Sequence, residues 1–121
     1  MSRRPLTYQV IEDELRDTMA RAENLTEQFA VAVSAKSEAE AAYKVAIAKA
    51  RLQARYELAS SGAKATDQTT ADTATVATEE EFKTYLISEA KYESLKQALY
   101  SARERGDQIR SLMASYRDVA G

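Results

Sequence analysis

The chain has 121 residues, 45% of them apolar and 30% charged, a net charge of −2, and no Cys, His or Trp. Without His or Cys, the sequence excludes imidazole acid–base catalysis, thiolate nucleophiles, disulfides and imidazole or thiolate metal sites. The near-neutral charge excludes a uniformly basic nucleic-acid coat. We therefore expect a non-enzymatic protein of one domain, residues 1–121, that uses no cofactor.

We expect no export or membrane signal in the first residues. No stretch approaches the roughly 18 apolar residues of a membrane span. Arg3 and Arg4 are followed by Pro5 and polar sequence instead of an apolar segment that an export machinery reads. We expect a cytoplasmic protein without membrane contact.

The first predicted element is one long helix over about residues 6–60, because this stretch has no Gly or Pro and is rich in good helix formers. Its apolar residues alternate at steps of three and four, which is typical of a coiled-coil-like face. Only Lys36 and Thr18 interrupt this seam, while Met19, Val33, Ile47 and Ala54 widen it on one flank. The seam positions are Tyr8, Ile11, Leu15, Thr18, Ala22, Leu25, Phe29, Ala32, Lys36, Ala39, Tyr43, Ala46 and Ala50.

A turn is predicted at about residues 61–66, where Gly62 is available for the left-handed conformation that ends helices. The next stretch contains six Thr between Thr66 and Thr78, a composition with poor helix propensity. Two starts for the second helix stay open. It begins at Asp67 with Thr66 as the cap, or at Thr78, where Thr78 and Glu81 fit a capping box.

The second helix is predicted to run to about residue 119. Its seven-residue repeat again indicates a helix seam, with Gly106 as the position of lowest helix propensity. A glycine there marks a flexible position or a close approach of another backbone, and we favour the close approach. The seam positions are Tyr85, Ser88, Tyr92, Leu95, Leu99, Ala102, Gly106, Ile109, Met113 and Tyr116.

Charge order favours an antiparallel pairing of the two helices. Each helix begins with a cluster of acidic residues and ends with basic ones, so folding back places acid against base at both ends. The fold class predicted is therefore all-α, a long antiparallel helical hairpin. An isolated pair of helices leaves one side of a broad apolar stripe exposed to solvent. We therefore expect self-association into a dimer or a four-helix bundle.

The candidate contact site lies near the end of the second helix. Arg103, Arg110 and Arg117 recur every seven residues and form a basic stripe that fits either a phosphate backbone or a solvated, salt-bridged flank. Tyr116 joins them because Tyr and Arg are enriched at the centres of protein interfaces. Intervening acidic residues and the lack of Phe or Trp beside the arginines favour the solvated, salt-bridged flank over nucleic-acid binding.

Acidic pairs and the turn offer no catalytic or ligand site. Glu79, Glu80 and Glu81 are explained by their place at a helix start, and two extended helices provide no concave pocket that raises a carboxyl pKa. The turn sequence from Gly62 to Thr66 lacks the Gly-Lys pair and preceding strand of a phosphate loop.

The sequence resembles small two-helix proteins of tailed bacteriophages, of the kind found in early gene clusters of actinobacteriophages, to which no function is assigned. The resemblance rests on Glu40, Tyr43, Lys44, the turn at 62–66, Tyr85-Leu86, Glu89-Ala90-Lys91-Tyr92, Ile109-Arg110-Ser111-Leu112 and Tyr116-Arg117. It implies a phage origin, the host cytoplasm as compartment and a role near recombination or replication. It implies no catalytic residue.

Three functions follow as expectations. The first is a self-associating adaptor or modulator that binds a host or phage protein. The second is an accessory nucleic-acid-binding factor that uses Arg103, Arg110 and Arg117. The third is a virion assembly or scaffolding protein.

Overall fold

A computed structural model describes residues 7–62, 64 and 66–120 and contains three helices: α1 (Tyr8–Ser60), α2 (Asp67–Ala77) and α3 (Glu79–Ala120). No strand occurs among these residues. The all-α prediction is confirmed.

Local hydrogen bonds define both ends of α1. The Thr7 hydroxyl accepts a hydrogen bond from the Val10 N–H at 3.2 Å and so caps the first turn. At the other end the Gly62 N–H donates to the Ala59 carbonyl, and Gly62 has φ 79°. This left-handed conformation strains side-chain-bearing residues, which is why glycine suits the position.

The Thr-rich segment forms α2, which takes the earlier of the two starts weighed from the sequence. Thr66 and Thr69 cap it reciprocally: the Thr66 hydroxyl accepts from the Thr69 N–H at 3.1 Å, and the Thr69 hydroxyl accepts from the Thr66 N–H at 3.1 Å. Inside the helix, the hydroxyls of Thr73 and Thr75 each donate to the carbonyl four residues earlier at 2.8 Å. Because the hydroxyls have partners in the helix itself, the Thr run is compatible with it.

The capping box predicted at Thr78 and Glu81 is wrong. Thr78 ends α2: its N–H donates to the Ala74 carbonyl, and its buried hydroxyl donates to the same carbonyl oxygen at 2.7 Å. The hydroxyl therefore points back into α2 instead of capping α3. The Thr78 carbonyl still accepts from the Phe82 N–H, so the chain passes into α3 with one irregular residue between the helices.

Contacts divide the described residues into two compact units. One takes the residues up to Val31 and from Glu93 onward, and the other takes Ala32–Tyr92. The sequence predicts a single domain. The structure shows two compact units among the described residues. In each unit α1 pairs antiparallel with later residues of the chain.

The first unit has a small core formed by buried Ile11, Ile109 and Met113, with Tyr8 and Leu15 packed against it. Beside this core the buried Gly106 faces Thr18, and a Cβ added to the glycine would lie 3.9 Å from the Thr18 methyl carbon. This is ordinary van der Waals contact. The packing therefore does not require a glycine here, contrary to the close approach expected from the sequence.

The second unit is packed largely through small side chains. Ala32, Ala54, Ala74, Thr70 and Thr78 are each at most 4% exposed. The large side chains of this unit make aromatic contacts: the ring of Tyr43 in α1 packs against the rings of Phe82 and Tyr85 near the start of α3. Lys36, which interrupts the apolar series in the sequence, places its Nζ atom 4.2 Å from the centre of the Tyr92 ring.

The seam derived from the sequence agrees with the observed burial. All thirteen α1 positions and nine of the ten positions from Tyr85 onward are buried or half-buried. Tyr116 is the exception, at 38% exposed. Of the flanking residues, Ile47 and Ala54 are covered, whereas Met19 and Val33 are exposed. The covered residues include the predicted seam set of Tyr8, Ile11, Leu15, Leu25, Phe29, Tyr43, Tyr85, Tyr92, Leu95, Leu99, Ile109 and Met113.

Candidate interaction surface

The three arginines of the predicted stripe are exposed on α3 at seven-residue spacing. Arg110 forms an ion pair with Asp107 on the same helix, with Nη1 and Oδ1 3.2 Å apart. Within the described part of the chain, Arg103 and Arg117 have no carboxylate within ion-pair distance. The stripe therefore keeps two cations free for a partner and has a third that is partly neutralised.

Arg105, which lies between them, is used inside the protein. Its Nη2 atom lies 3.0 Å from Oε1 of Glu14, so it connects α3 to α1 in the first unit. Both side chains are more than half exposed, so this ion pair contributes little to stability.

Tyr116 is half-covered by a second ring. The centroids of Tyr116 and Tyr8 are 5.9 Å apart, and the ring planes are tilted by 38°. Leu112 and Val119 on the same helix are 44% and 90% exposed. The predicted contact end therefore presents apolar side chains next to Arg110 and Arg117.

A shallow groove of about 360 Å³ lies beside this end. Ile11 and Ile109 form its apolar floor, and Glu14 and Arg105 line it together with Val10, Gln108 and Leu112. The groove is open on one side, and its charged groups pair with each other. It suits the side chain of a protein partner better than an enclosed small substrate.

The second unit holds an aromatic cluster between α1 and α3. The ring of Tyr43 meets Phe82 at 5.1 Å and Tyr85 at 6.0 Å, both nearly edge-on. A hydrogen bond to Glu89 raises the pKa of the Tyr85 phenol, and burial and the negative charges of Glu40 and Glu89 raise it further. The phenol is thus held neutral as a hydrogen-bond donor.

Phe82 was absent from the sequence-derived seam. Its position nevertheless fits the three- and four-residue spacing of the seam, because Phe82 lies three residues before Tyr85 and four after Thr78. The outer side of α1 carries exposed apolar side chains that are not part of the predicted seam, among them Val45, Leu52 and Tyr56, which are 53%, 68% and 70% exposed.

Among residues 7–62, 64 and 66–120, no group of three or more Asp or Glu side chains is arranged to hold a metal ion. A search of the same residues finds no helix with the length and apolarity needed to cross a bilayer.

Comparisons of the chain with protein-family models, with curated proteins and with solved structures gave no match.

Proposed function

We propose that this chain is a non-enzymatic, phage-encoded helical interaction protein: an adaptor or modulator that self-associates and binds another protein. The observation that supports the proposal is the distribution of its large apolar side chains. At least fourteen of them are exposed on the described helices, including Leu52 at 68% and Val76 at 75%. Soluble monomers rarely leave extended apolar surface uncovered, and such surface usually marks contact with a partner.

The end of α3 supports the same proposal. Tyr116, Leu112 and Val119 lie on one helix with Arg110 and Arg117. Aromatic and arginine side chains together are typical of the energetically dominant part of a protein interface. The expected partner is a host or phage protein, in keeping with the resemblance to small phage proteins.

The test is a pull-down from host-cell lysate with the tagged chain, with and without nuclease, followed by mass spectrometry. A stoichiometric partner that survives nuclease supports the adaptor function. Light scattering on the purified chain tests self-association, for which we expect a mass above the 13.4 kDa of one chain. A monomer that retains no protein would contradict the proposal.

Nucleic-acid binding is the second candidate function, favoured by the unpaired Arg103 and Arg117. Charge reversal separates the two functions. In the nucleic-acid case, Arg103→Glu with Arg117→Glu abolishes retention on duplex DNA, and the wild-type affinity falls steeply with salt. The matched control is Lys91→Glu, an exposed cation outside the stripe.

A further inference from the structure

A second apolar stripe runs along the outer side of α1 in the Ala32–Tyr92 unit. Its members recur at steps of three and four, the same spacing as the seam, but all of them are exposed. Val45, Leu52 and Tyr56 supply the large side chains. We define the outer stripe as Ala41, Val45, Ala48, Leu52, Tyr56 and Ala59.

Cations flank the outer stripe. Between residues 41 and 59 the charged residues are Lys44, Lys49, Arg51, Arg55 and a single carboxylate, Glu57, although the whole chain has a net charge of −2. Lys49, Arg51 and Arg55 are exposed and form no ion pair with any residue that the structure describes. Lys44 pairs with Glu40 at 3.0 Å, and Glu57 accepts a hydrogen bond from Gln53 at 2.8 Å.

The apolar stripe and its flanking cations together indicate the chemistry of the partner. An apolar row at three- and four-residue steps fits a second helix laid along it, and the alanines allow a close approach of that helix. The positions on either side of such a row face the flanking residues of the incoming helix, where Glu or Asp would pair with the lysines and arginines.

A second copy of the chain fits poorly. If two outer stripes packed on each other, Lys49 and Arg51 of one copy would lie against the same cations of the other, which is repulsive. If the stripe packed on a different face of the second copy, each copy would leave another stripe open for a further copy, which gives a ring or a filament instead of the dimer or four-helix bundle expected from the seam.

A lipid surface fits poorly as well. Helices that lie in a membrane interface bury a broad face of bulky side chains, often Trp, Phe and Leu. Three of the six members of the outer stripe are alanines.

We infer that the outer stripe, with Lys49, Arg51 and Arg55 beside it, is a docking site for an acidic amphipathic helix of a partner protein. This inference rests on the proposed adaptor function and specifies the class of partner and the place where it binds. The partner helix presents apolar residues at heptad positions a and d and carboxylates at e and g.

The test uses two synthetic helices of three heptads, both with Leu at a and d, one with Glu and one with Lys at e and g. Such a peptide covers the outer stripe, which is about 28 Å long at 1.5 Å per residue. Binding of each labelled peptide to the full-length chain is measured by fluorescence anisotropy. We expect the Glu peptide to bind at least about tenfold more tightly than the Lys peptide, with a difference that shrinks as salt is added.

Variants locate the site. Leu52→Glu should weaken binding of the Glu peptide at least about tenfold, and Leu52→Gln, which adds no charge, should weaken it less. Lys49→Glu with Arg51→Glu should reverse the preference toward the Lys peptide. Ile87→Glu, at an apolar residue on α3 that is 70% exposed, is the matched control and should leave binding unchanged. Circular dichroism of each variant checks that the helices are retained.

The inference would be overturned by equal binding of both peptides, by binding of the Glu peptide weaker than about 100 μM, or by loss of binding with Ile87→Glu but not with Leu52→Glu. A light-scattering mass of the free chain that Leu52→Glu lowers would also overturn it, because it would assign the stripe to self-association. Binding to anionic vesicles that depends on Leu52, without binding of the Glu peptide, would assign it to a membrane. If lysate capture of a stoichiometric partner survives Leu52→Glu, the adaptor function stands and the docking site fails.

Discussion

The Nζ atom of Lys36 lies 4.2 Å from the centre of the Tyr92 ring. Lys36 occupies a position of the seam at which the heptad pattern predicts an apolar residue. The ring face attracts the ammonium group, and the aliphatic stem of the lysine packs along the helix pair. This contact explains how a lysine is accommodated in an otherwise apolar row.

A double-mutant cycle measures that contact. Lys36→Met and Tyr92→Leu, alone and together, should give a coupling free energy of about 0.5–1 kcal/mol in urea unfolding. A coupling near zero would mean that Lys36 contributes only through its stem.

Gly106→Ala should stabilise the protein. The added methyl group would meet Thr18 at an ordinary contact distance of 3.9 Å, and alanine is favoured over glycine in a helix interior by about 1 kcal/mol. We expect a gain of about 0.5–1 kcal/mol in the free energy of unfolding. The matched control is Gly62→Ala, which should destabilise because φ at Gly62 is 79°. A loss of stability with Gly106→Ala would show that the helices are closer at this point than the structure indicates.

Ile11→Ala should lower the free energy of unfolding by about 2–4 kcal/mol, the usual cost of truncating a buried aliphatic side chain. Ile11 is 1% exposed and contacts the core formed with Ile109 and Met113. Val119→Ala, at a residue that is 90% exposed, should change stability by less than about 0.5 kcal/mol. Urea unfolding followed by circular dichroism compares the two, and equal effects would contradict the assignment of the core.

Thr66→Ala should destabilise α2 by about 1 kcal/mol, because it removes the hydroxyl that accepts from the Thr69 N–H. The control is Thr73→Ala, whose hydroxyl bonds only to a carbonyl inside the helix. Amide hydrogen exchange in α2 gives the readout. Faster exchange in the Thr73 variant than in the Thr66 variant would argue against the cap.

Stability should fall at high pH through Tyr85. Its folded pKa is raised above the ordinary value of 10.0, so the neutral phenol stabilises the fold fully below pH 10. That contribution is lost as the pH rises through the raised folded pKa. Tyr85→Phe should therefore lose less stability than the wild type between pH 10 and the folded pKa. Spectrophotometric titration at the tyrosinate band, with Glu89→Gln for comparison, should show the pKa of Tyr85 fall when its hydrogen-bonded carboxylate is removed.

The sequence predicted the seam well because a seven-residue repeat requires only that helices pair, and Ile11, Leu99, Ile109 and Met113 are all buried as expected. It could not decide the start of the second helix. The low helix propensity of Thr disfavours a helix in this segment, whereas the burial of Thr70 and Ala74 favours it. That burial depends on the neighbouring residues that cover the segment in the fold, which the sequence pattern does not specify.

The errors in detail have similar causes. Thr78 fits a cap for α3, but its hydroxyl instead bonds to the Ala74 carbonyl, since continuous helix on both sides leaves it closer to that group. The ion pair of Arg105 with Glu14 depends on the register between helices, which the seven-residue repeat leaves undetermined. The outer stripe gives a weak signal in the sequence, because three of its six members are alanines, which are also common on solvated helix faces.

The contacts that join α1 to α3 differ widely in how much chain lies between the paired residues. Arg105 and Glu14 are 91 residues apart, whereas Tyr43 and Phe82, whose rings meet nearer the turn, are 39 residues apart. Closing a longer loop costs more chain entropy, so contacts near the turn should form first and those near the termini last. A late-forming contact contributes little to the transition state. Ile109→Ala should therefore accelerate unfolding and leave the folding rate nearly unchanged.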